Sequence, residues 1–472
     1  MAKLEQMLLV PPTGESSQGN MPAAKLLGMR THQMPGKLNV SELFFEVPKN
    51  YSKAQDGSLR LFARSVKRFE KPVDISKTEI KQPPWLLFLQ GGPGMPCKSP
   101  QYYPWTDILL DKGYQILFLD QRGTGLSSTV TARTLATEGG PAKQAASLKN
   151  FRADSIVMDC EAIRKILTAD YPAEKKKWTI MGVSFGGFCC GTYLSNFPEG
   201  LQEVFISAGL PPLVKDPDII YKYQFRRLAE RNKAYYEKYI EDIHRVKDII
   251  RYIQKESVIL PSGGNFSVLR LRQLGSYFAF HGTMDIVHDM ICRLTSDLNQ
   301  FGFFTRPTLA AFDEMMPFDT MPLSALIHEP IYARGHPTRW SADRVMSHIP
   351  EFQRVSVDGP EPVLFTGEMV FRDMFKDYDE LRNLQETADL LAHAEDWPEL
   401  YDEAQLAKNE VPIYSAVYVD DMLVHFDLSR DAASKIKNCK TFITNTLYHE
   451  ALFSKSNEVM KQLFALRDDT ID

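Results

Sequence analysis

The six residues Gly-Val-Ser-Phe-Gly-Gly at positions 182–187 constrain this chain more than any other feature. They follow an apolar run at 178–181 and precede a segment, 188–196, that predicts a helix. A G-x-S-x-G sequence between a strand and a helix is typical of a nucleophile elbow, a sharp turn that exposes one serine hydroxyl. The small residues on both sides of Ser184 permit that turn. Ser184 is therefore the candidate nucleophile.

Two upstream segments have the same strand-then-turn form. The run 85–89 leads into Gly-Gly-Pro-Gly at 91–94, and the run 114–119 leads into Asp-Gln-Arg-Gly at 120–123. Short continuous apolar runs predict central strands of a parallel sheet, buried on both faces. The first glycine cluster can bring backbone N–H groups close to a reacting carbonyl, as an oxyanion hole requires. We expect that hole to combine the N–H groups of Phe185 and Gly92, and we expect Arg122 to anchor its turn.

The pattern of apolar runs divides the chain into four segments. Residues 1–35 form an N-terminal extension, rich in Pro, Gly, Ser and Gln at its start, that we expect to be partly loose. Residues 36–212 alternate predicted strands with a helix at 155–169, residues 213–409 are mostly helical, and residues 410–472 resume with strands at 411–419 and 441–444. The sequence thus predicts an α/β core with a mostly parallel central sheet, interrupted by an inserted, mainly helical cap domain.

The two late strands supply the remaining groups that a serine nucleophile needs. A serine hydroxyl requires a base, usually His, that a carboxylate orients, and with an elbow the chain order is Ser, Asp or Glu, then His. Asp420 and Asp421 end the first of these strands, and His449 follows the second. We expect His449 to be the base and read His425 as a surface or supporting residue. Successive side chains at a strand end point in opposite directions, which leaves both aspartates as candidates. We favour Asp421, and Asp420 remains the alternative.

Composition and charge limit the classes of binding partner that the sequence supports. A net charge of −5 gives no electrostatic argument for nucleic acid or for an anionic membrane. The six cysteines show neither metal-ligand spacing nor a compact disulfide framework, and nothing in the sequence implies a cofactor or a metal. Residues 1–30 lack an apolar core followed by a cleavage site, so we expect a cytosolic protein. The sequence does not indicate an oligomeric state.

The three motifs together resemble the proline iminopeptidase family of α/β-hydrolases. The family carries G-G-P-G after one strand, D-Q-R-G after the next and G-x-S-x-G-G at the elbow, in the order seen at 91–94, 120–123 and 182–187. The resemblance covers about residues 36–212 and 411–455 and is weaker in the cap. One departure is Gln90, where many members carry His. The backbone N–H groups of the expected oxyanion hole come after position 90. We therefore expect Gln90 to alter the level of activity and not to abolish it.

The resemblance implies a serine exopeptidase that releases N-terminal proline from short peptides without a metal. Family members hold the free α-amino group of the substrate with carboxylates from the cap. The segments 328–332 and 365–369 look similar to those regions, so the resemblance implies Glu329 and Glu368 as the amine-binding pair. A buried cation needs opposing charge and hydrogen-bond acceptors, which two carboxylates supply.

Two other function classes fit parts of the sequence. The same core and the same three catalytic groups support an esterase or amidase that acts on a non-peptide substrate. A non-catalytic binder built on this core is disfavoured, because it would need neither the nucleophile nor the acid and base. Selectivity for a free amine separates the exopeptidase from the esterase, and labelling by a serine-reactive fluorophosphonate separates both from the binder.

Overall fold

The computed structural model describes residues 23–69 and 82–469. Its centre is a nine-stranded sheet with the strand order β1-β2-β3-β5-β4-β6-β7-β8-β9. The strands are β1 Lys25–Met34, β2 Leu38–Pro48, β3 Ser58–Arg68, β4 Trp85–Leu89, β5 Gln115–Asp120, β6 Trp178–Val183, β7 Leu201–Ser207, β8 Ile413–Tyr418 and β9 Cys439–Thr444.

The sheet has an antiparallel lead-in and a parallel main part. Strands β1, β2 and β3 pair antiparallel, and β3 joins β5 antiparallel. From β5 to β9 every neighbouring pair is parallel, with Leu87 of β4 opposite both Leu117 and Ile180. The carboxyl ends of β4 to β9 therefore meet at one edge of the sheet, where ligands of open α/β sheets bind.

Helices cover both faces of the sheet and fill the segment between β7 and β8. The core helices are α1 Thr106–Asp111, α2 Ala132–Ala136, α3 Pro141–Leu148, α4 Ala153–Leu167 and α5 Phe185–Asn196, and, after β8, α17 Phe426–Lys435, α18 Ala451–Ser454 and α19 Ser456–Asp468. The intervening helices are α6 Pro217–Lys238, α7 Asp242–Lys255, α8 Val268–Arg272, α9 Thr283–Phe301, α10 Arg306–Met315, α11 Pro322–Ile327, α12 Ser341–Met346, α13 Pro350–Gln353, α14 Met374–Asp377, α15 Gln385–Ala392 and α16 Glu403–Ala407. Within the described residues, none of the helices combines the length and the apolar character that a membrane crossing needs.

The alternation of side chains along β4 explains why the sheet is covered on both faces. All five residues of β4 are buried. Trp85, Leu87 and Leu89 belong to the larger apolar cluster on one face, whereas Leu86 and Phe88 belong to the cluster on the other. A strand with apolar residues at every position can be stable only between two layers of helices.

The helical insertion interrupts two strands that are neighbours in the sheet. Strand β7 ends at Ser207, β8 begins at Ile413, and Val204 lies opposite Ile413 in their parallel ladder. The chain therefore leaves the core at the carboxyl edge of β7 and returns to the adjacent strand. The predicted fold class, a mostly parallel α/β core with an inserted helical cap, is confirmed; the residue boundaries of the four segments stay a prediction.

Two local features differ from the sequence prediction. Strand β1, Lys25–Met34, pairs with β2 along its whole length, whereas the sequence pattern predicts no strand before residue 36. Its side chains are almost all exposed, so it has no apolar alternation for the sequence to reveal. Residues 1–22 of the N-terminal extension lie outside the described residues. Helix α5 begins at Phe185, directly after the candidate nucleophile Ser184, and not at residue 188.

Arg122 anchors the turn after β5, as its sequence context predicts. Its guanidinium donates to both carboxylate oxygens of Asp159 on α4, at 2.8 and 2.6 Å, and both side chains are fully buried. The remaining N–H groups donate to the carbonyls of Lys49 and Asn150, at 3.0 and 2.7 Å. The hydroxyl of Tyr51 also donates to Asp159, at 2.8 Å. Arg122 therefore joins the β2 end, the β5 turn and α4.

We expect Arg122→Ala to lower the free energy of unfolding by about 3–5 kcal/mol, because it leaves the Asp159 carboxylate buried without its counter-charge. Urea denaturation measures this loss. The control is Arg68→Ala, which removes an arginine paired with the mostly exposed Asp107 and Asp111 and should cost no more than about 1 kcal/mol. Equal losses in the two variants would contradict the anchoring account.

Candidate active site

Ser184 occupies a strained turn between β6 and α5. Its backbone has φ 53° and ψ −126°, a left-handed conformation that side chains rarely adopt. Its N–H donates to the Ser207 carbonyl at 3.1 Å, and its carbonyl accepts from Gly187 N–H at 2.8 Å. The side chain is half-buried. The hydroxyl thus stands at the carboxyl edge of the sheet, at the first turn of α5.

Glycines surround this turn because their neighbours leave no room for a side chain. A Cβ on Gly186 would lie 2.0 Å from the Leu89 carbonyl oxygen, and one on Gly187 would lie 2.3 Å from the Gly209 carbonyl oxygen. A Cβ on Gly182 would lie 2.4 Å from the Gly186 carbonyl oxygen. The elbow therefore packs directly against the ends of β4 and β7.

The Gly-Gly-Pro-Gly turn lies beside the candidate nucleophile. A Cβ on Gly91 would be 3.1 Å from the Ser184 Cβ, and Gly92 has φ +122°. Phe185 is the first residue of α5, so its N–H has no partner within that helix. The side chain of Gln90 donates to the Pro96 carbonyl at 3.3 Å and so connects the two ends of the turn. The backbone of residues 91–92 and the N–H of Phe185 therefore flank Ser184.

Asp421 and His449 form a buried hydrogen-bonded pair. The His449 Nδ1 lies 2.9 and 3.1 Å from the two carboxylate oxygens of Asp421, and both residues are buried. The carboxylate also accepts from the N–H groups of Leu423 and Val424, at 2.8 and 2.9 Å. Burial disfavours the imidazolium, but the charge and hydrogen bond of Asp421, together with the charges of Glu368 and Glu450, outweigh it and raise the pKa of His449. The arrangement holds the ring with its Nε2 turned away from Asp421.

Asp420 and His425 contact other groups. Asp420 accepts from Arg227 of the insertion at 3.2 Å. His425 was read as a surface or supporting residue, but it is buried, and its Nδ1 accepts from Asp427 N–H at 3.2 Å at the start of α17. Its ring packs 4.8 Å from that of Tyr223, and burial lowers its pKa to about 4. His425 is therefore a neutral helix cap in the interior.

Glu329 is a fully buried carboxylate in the insertion. Its two oxygens accept from the N–H groups of Ser341 and Ala342, at 3.1 and 2.8 Å, at the start of α12. Burial raises its pKa to about 7, although those hydrogen bonds act in the opposite direction. The core residue Arg152 donates to the Pro330 carbonyl at 3.2 Å and so fixes the segment that follows Glu329.

Glu368 is half-buried. His328 Nε2 lies 3.3 Å from its Oε1, and the charge of Glu368 contributes to the raised pKa of His449. Burial raises the pKa of the Tyr221 hydroxyl well above its ordinary value, and the charges of both Glu329 and Glu368 raise it further. The charges of the two glutamates, which lie on different segments of the insertion, therefore both act on the same buried hydroxyl.

Several residues near the acid and base were not foreseen from the sequence. Gln224 donates to the Leu423 carbonyl at 2.8 Å, and its Nε2 lies 3.5 Å from the Tyr332 hydroxyl. The Phe280 ring lies 6.5 Å from the His449 ring. Tyr332 lies in the 328–332 segment that the resemblance singles out. Gln224 and Phe280 lie in helical stretches without a motif, and no signal in the sequence identifies them.

One group elsewhere in the described residues combines metal-ligating side chains. Ligand atoms of Asp242, His288 and Cys292 lie within 4.8 Å of one another. The Asp242 carboxylate already accepts from Arg245 and from His288 Nδ1, at 2.9 and 2.8 Å, and from the Tyr235 hydroxyl. We read this group as a hydrogen-bond network that fastens α9 to α7. Cys189 and Cys190 are buried in the core, as small apolar residues would be.

Comparison with known proteins agrees with this geometry. Residues 84–263 match the model of the α/β hydrolase fold. The chain is 46% identical over 453 residues to proline iminopeptidase aneH of Aspergillus aculeatus, an alignment that covers 96% of this chain and 99% of that protein. It is 36% identical over 432 residues to the proline iminopeptidase of Aeromonas sobria, covering 90% of this chain and 96% of that protein.

The parallel sheet, the elbow and the helical insertion define the chain as an α/β-hydrolase-fold enzyme of the serine hydrolase class. The two relatives are similar enough, over enough of the chain, to assign a family within that class. The chain belongs to the proline iminopeptidase family.

We expect Gly186→Ala to destabilise the protein by about 1–3 kcal/mol or more, because the new Cβ must displace the Leu89 carbonyl. Thermal unfolding measures the change. Gly28→Ala is the matched control, since nothing lies within 4 Å of its Cβ position and its φ is not in the left-handed range. Similar melting temperatures for Gly186→Ala and the wild type would contradict the packing described for the elbow.

Proposed function

We propose that this protein is a serine exopeptidase that releases N-terminal proline from short peptides through an acyl-enzyme on Ser184. Homology to proteins named proline iminopeptidase over 96% and 90% of the chain supports the proposal. The observation that carries it is the pair of carboxylates, Glu329 and Glu368, neither of which pairs with Lys or Arg among the described residues, together with the effect of the Glu368 charge on the pKa of the buried His449. The cytosolic location and the preference for short peptides remain predictions.

The carboxylates favour a cationic substrate because they have no strong counter-charge. Among residues 23–69 and 82–469, neither Glu329 nor Glu368 forms an ion pair with Lys or Arg, and His328 is the one basic side chain beside Glu368. A substrate ammonium group would supply the counter-charge that both carboxylates lack. In the proposal they bind the free α-amino group and so place the first peptide bond at Ser184.

The chemistry follows from the proposed assignment of groups. His449 Nε2 accepts the Ser184 proton as Oγ attacks the first peptide carbonyl, and Asp421 stabilises the imidazolium that forms. The N–H groups of Phe185 and Gly92 stabilise the tetrahedral oxyanion. His449 then protonates the departing amine, the C–N bond breaks, and the acyl group remains on Ser184. Water, deprotonated by His449, releases proline and restores the serine.

An esterase or amidase that acts on a non-peptide substrate is the second candidate. The same nucleophile, acid and base would serve it, because the core does not determine the substrate. Such an enzyme has no use for an amine site, so it would treat free and N-acetylated substrates alike. The geometry at Glu329 and Glu368 favours the exopeptidase.

The direct test compares proline 4-nitroanilide, its N-acetyl form, alanine 4-nitroanilide and 4-nitrophenyl acetate, with Ser184→Ala beside the wild type. We expect fast, Ser184-dependent cleavage of the free prolyl substrate and refusal of the acetylated form. Activity restricted to the ester would leave the nucleophile in place and refute the peptidase proposal.

Replacing the carboxylates tests the amine site itself. We expect Glu368→Gln and Glu329→Gln each to lower kcat/KM for proline 4-nitroanilide by about 10²-fold, because a charge-assisted hydrogen bond to the ammonium contributes about 1.5–3 kcal/mol. Hydrolysis of 4-nitrophenyl acetate should change much less. The exposed Glu361→Gln is the matched control and should change neither rate. Equal losses on the amine and the ester substrates would count against an ammonium site.

The pH dependence tests the base. His449 must be neutral to accept the serine proton, and its pKa is raised by Asp421, so ester hydrolysis should decline as pH falls from a point above the ordinary histidine pKa of about 6.5. Asp421→Asn should lower kcat by about 10⁴-fold and move the acidic limb of the residual activity to lower pH. Asp420→Asn should lower kcat by about tenfold at most. An acidic limb that stays in place in Asp421→Asn would contradict the assignment.

A further inference from the structure

Helix α6 of the insertion lies along the loops that carry the proposed acid and base. Gln224, Arg227 and Arg231, spaced i, i+3 and i+7, share one face of the helix. Gln224 donates to the Leu423 carbonyl at 2.8 Å, and Arg227 donates to the Val419 carbonyl at 3.1 Å. One helix face therefore spans the loop on both sides of Asp421.

The same face reaches the loop at residues 445–450, called here the histidine loop. Arg231 donates to the Phe278 carbonyl at 3.0 Å, and its guanidinium lies 4.8 Å from the centre of the Tyr448 ring. His281, just beyond Phe278, donates its backbone N–H to the Glu450 carboxylate at 3.0 Å. The His281 ring also hydrogen bonds to that carboxylate through Nδ1 and packs 4.8 Å from the Tyr448 ring. Residues of the insertion thus hold both neighbours of His449.

Asp421 and His449 each have an acidic residue next to them in the chain that accepts a hydrogen bond from the insertion. Asp420 precedes Asp421 and accepts from Arg227 at 3.2 Å, and Glu450 follows His449 and accepts from His281. Burial alone would raise the pKa of Glu450, but hydrogen bonds from His281 and Ser454 hold it below its ordinary value, so the carboxylate is charged at neutral pH. In both loops an acidic side chain next to a reacting residue joins the core to the insertion.

The histidine loop needs this support more than the acid loop does. Asp421 is fixed by two backbone N–H groups of its own loop, from Leu423 and Val424. The histidine loop follows β9, which is the edge strand of the sheet and is only partly buried. An edge strand is held from one side only, so it constrains the loop after it less than a central strand does.

We propose that Glu450 and Asp420 are positioning residues through which the insertion sets the geometry of His449 and Asp421, with the His281–Glu450 contact dominant. The inference rests on the proposed hydrolytic function of Ser184, His449 and Asp421. The insertion is then part of the proton-transfer geometry as well as the wall of the substrate site. A misplacement of about 1 Å at a reacting group lowers rates by about 10²-fold, so loss of the contact should appear in kcat.

The test is a double-mutant cycle on His281→Ala and Glu450→Ala. The readouts are kcat and KM for 4-nitrophenyl acetate and the rate at which a small fluorophosphonate labels Ser184, neither of which requires amine recognition. We expect each single variant to lower kcat and the labelling rate by about 10- to 100-fold with KM changed less than about threefold. The double variant should lose no more than Glu450→Ala alone, because His281→Ala removes only the ring contact to Glu450 and keeps the backbone N–H, whereas Glu450→Ala removes both contacts.

Conservative variants at the same two positions, and a control variant at another contact of the insertion, distinguish loss of positioning from loss of folding. Glu450→Gln keeps an oxygen acceptor and His281→Asn keeps an N–H donor, so both should recover most of the lost rate even if the alanine variants fold poorly. Arg226→Ala removes the exposed contact between α6 and Asp427, at 3.1 Å, and should leave the labelling rate unchanged.

Three outcomes would overturn the proposal: unchanged labelling in the alanine variants, multiplicative losses in the double variant, or an equal loss in Arg226→Ala. A wild type that labels rapidly but does not cleave proline 4-nitroanilide would refute the proposed peptidase function alone. The cycle would still decide the positioning proposal in that case.

Discussion

The left-handed backbone of Ser184 is the constraint on which the rest of the site depends. A serine with φ 53° is unfavourable, and it persists only where the surroundings determine the turn completely. Here they do so by close packing, since a Cβ at Gly186 or Gly187 would fall 2.0–2.3 Å from a carbonyl oxygen. The same absence of side chains lets the Gly91–Gly92 turn approach the serine. The elbow therefore fixes Ser184, the proposed nucleophile, and the flanking N–H groups together.

Asp421 and His449 lie on loops that are less constrained than the elbow, and the insertion contacts both loops. Asp421 follows β8, which is paired on both sides, whereas His449 follows β9 at the edge of the sheet. The insertion, which leaves and re-enters the core between β7 and β8, contacts the loops after β8 and β9 through Arg227 and His281 and contributes Glu329 and Glu368. In the proposed enzyme, substrate recognition and alignment of His449 thus depend on the same group of helices. A change in the insertion that alters substrate preference is expected to alter kcat as well.

Features encoded by neighbouring residues could be predicted from the sequence, and features that join distant segments could not. The elbow, the two glycine turns and the parallel strands follow from local patterns of glycine and apolar residues. The choice between Asp420 and Asp421 depends on which side chain faces His449, and only the hydrogen bonds of the structure show that geometry. Glu450 and His281 are 169 residues apart, and Asp420 and Arg227 are 193 apart, so no motif connects them. Strand β1 is exposed on both faces, and His425 is buried as a helix cap; apolar periodicity reveals neither.

The most direct test of the account is a crystal structure of the Ser184→Ala variant with an uncleaved proline-containing dipeptide bound. The account predicts the proline nitrogen within hydrogen-bond distance of Glu329 and Glu368. It also predicts the first peptide carbonyl directed at the N–H groups of Phe185 and Gly92, with its carbon beside residue 184. A dipeptide whose amine points to solvent, or whose carbonyl lies away from the elbow, would contradict the central claim that the insertion's carboxylates select the substrate and place it for attack.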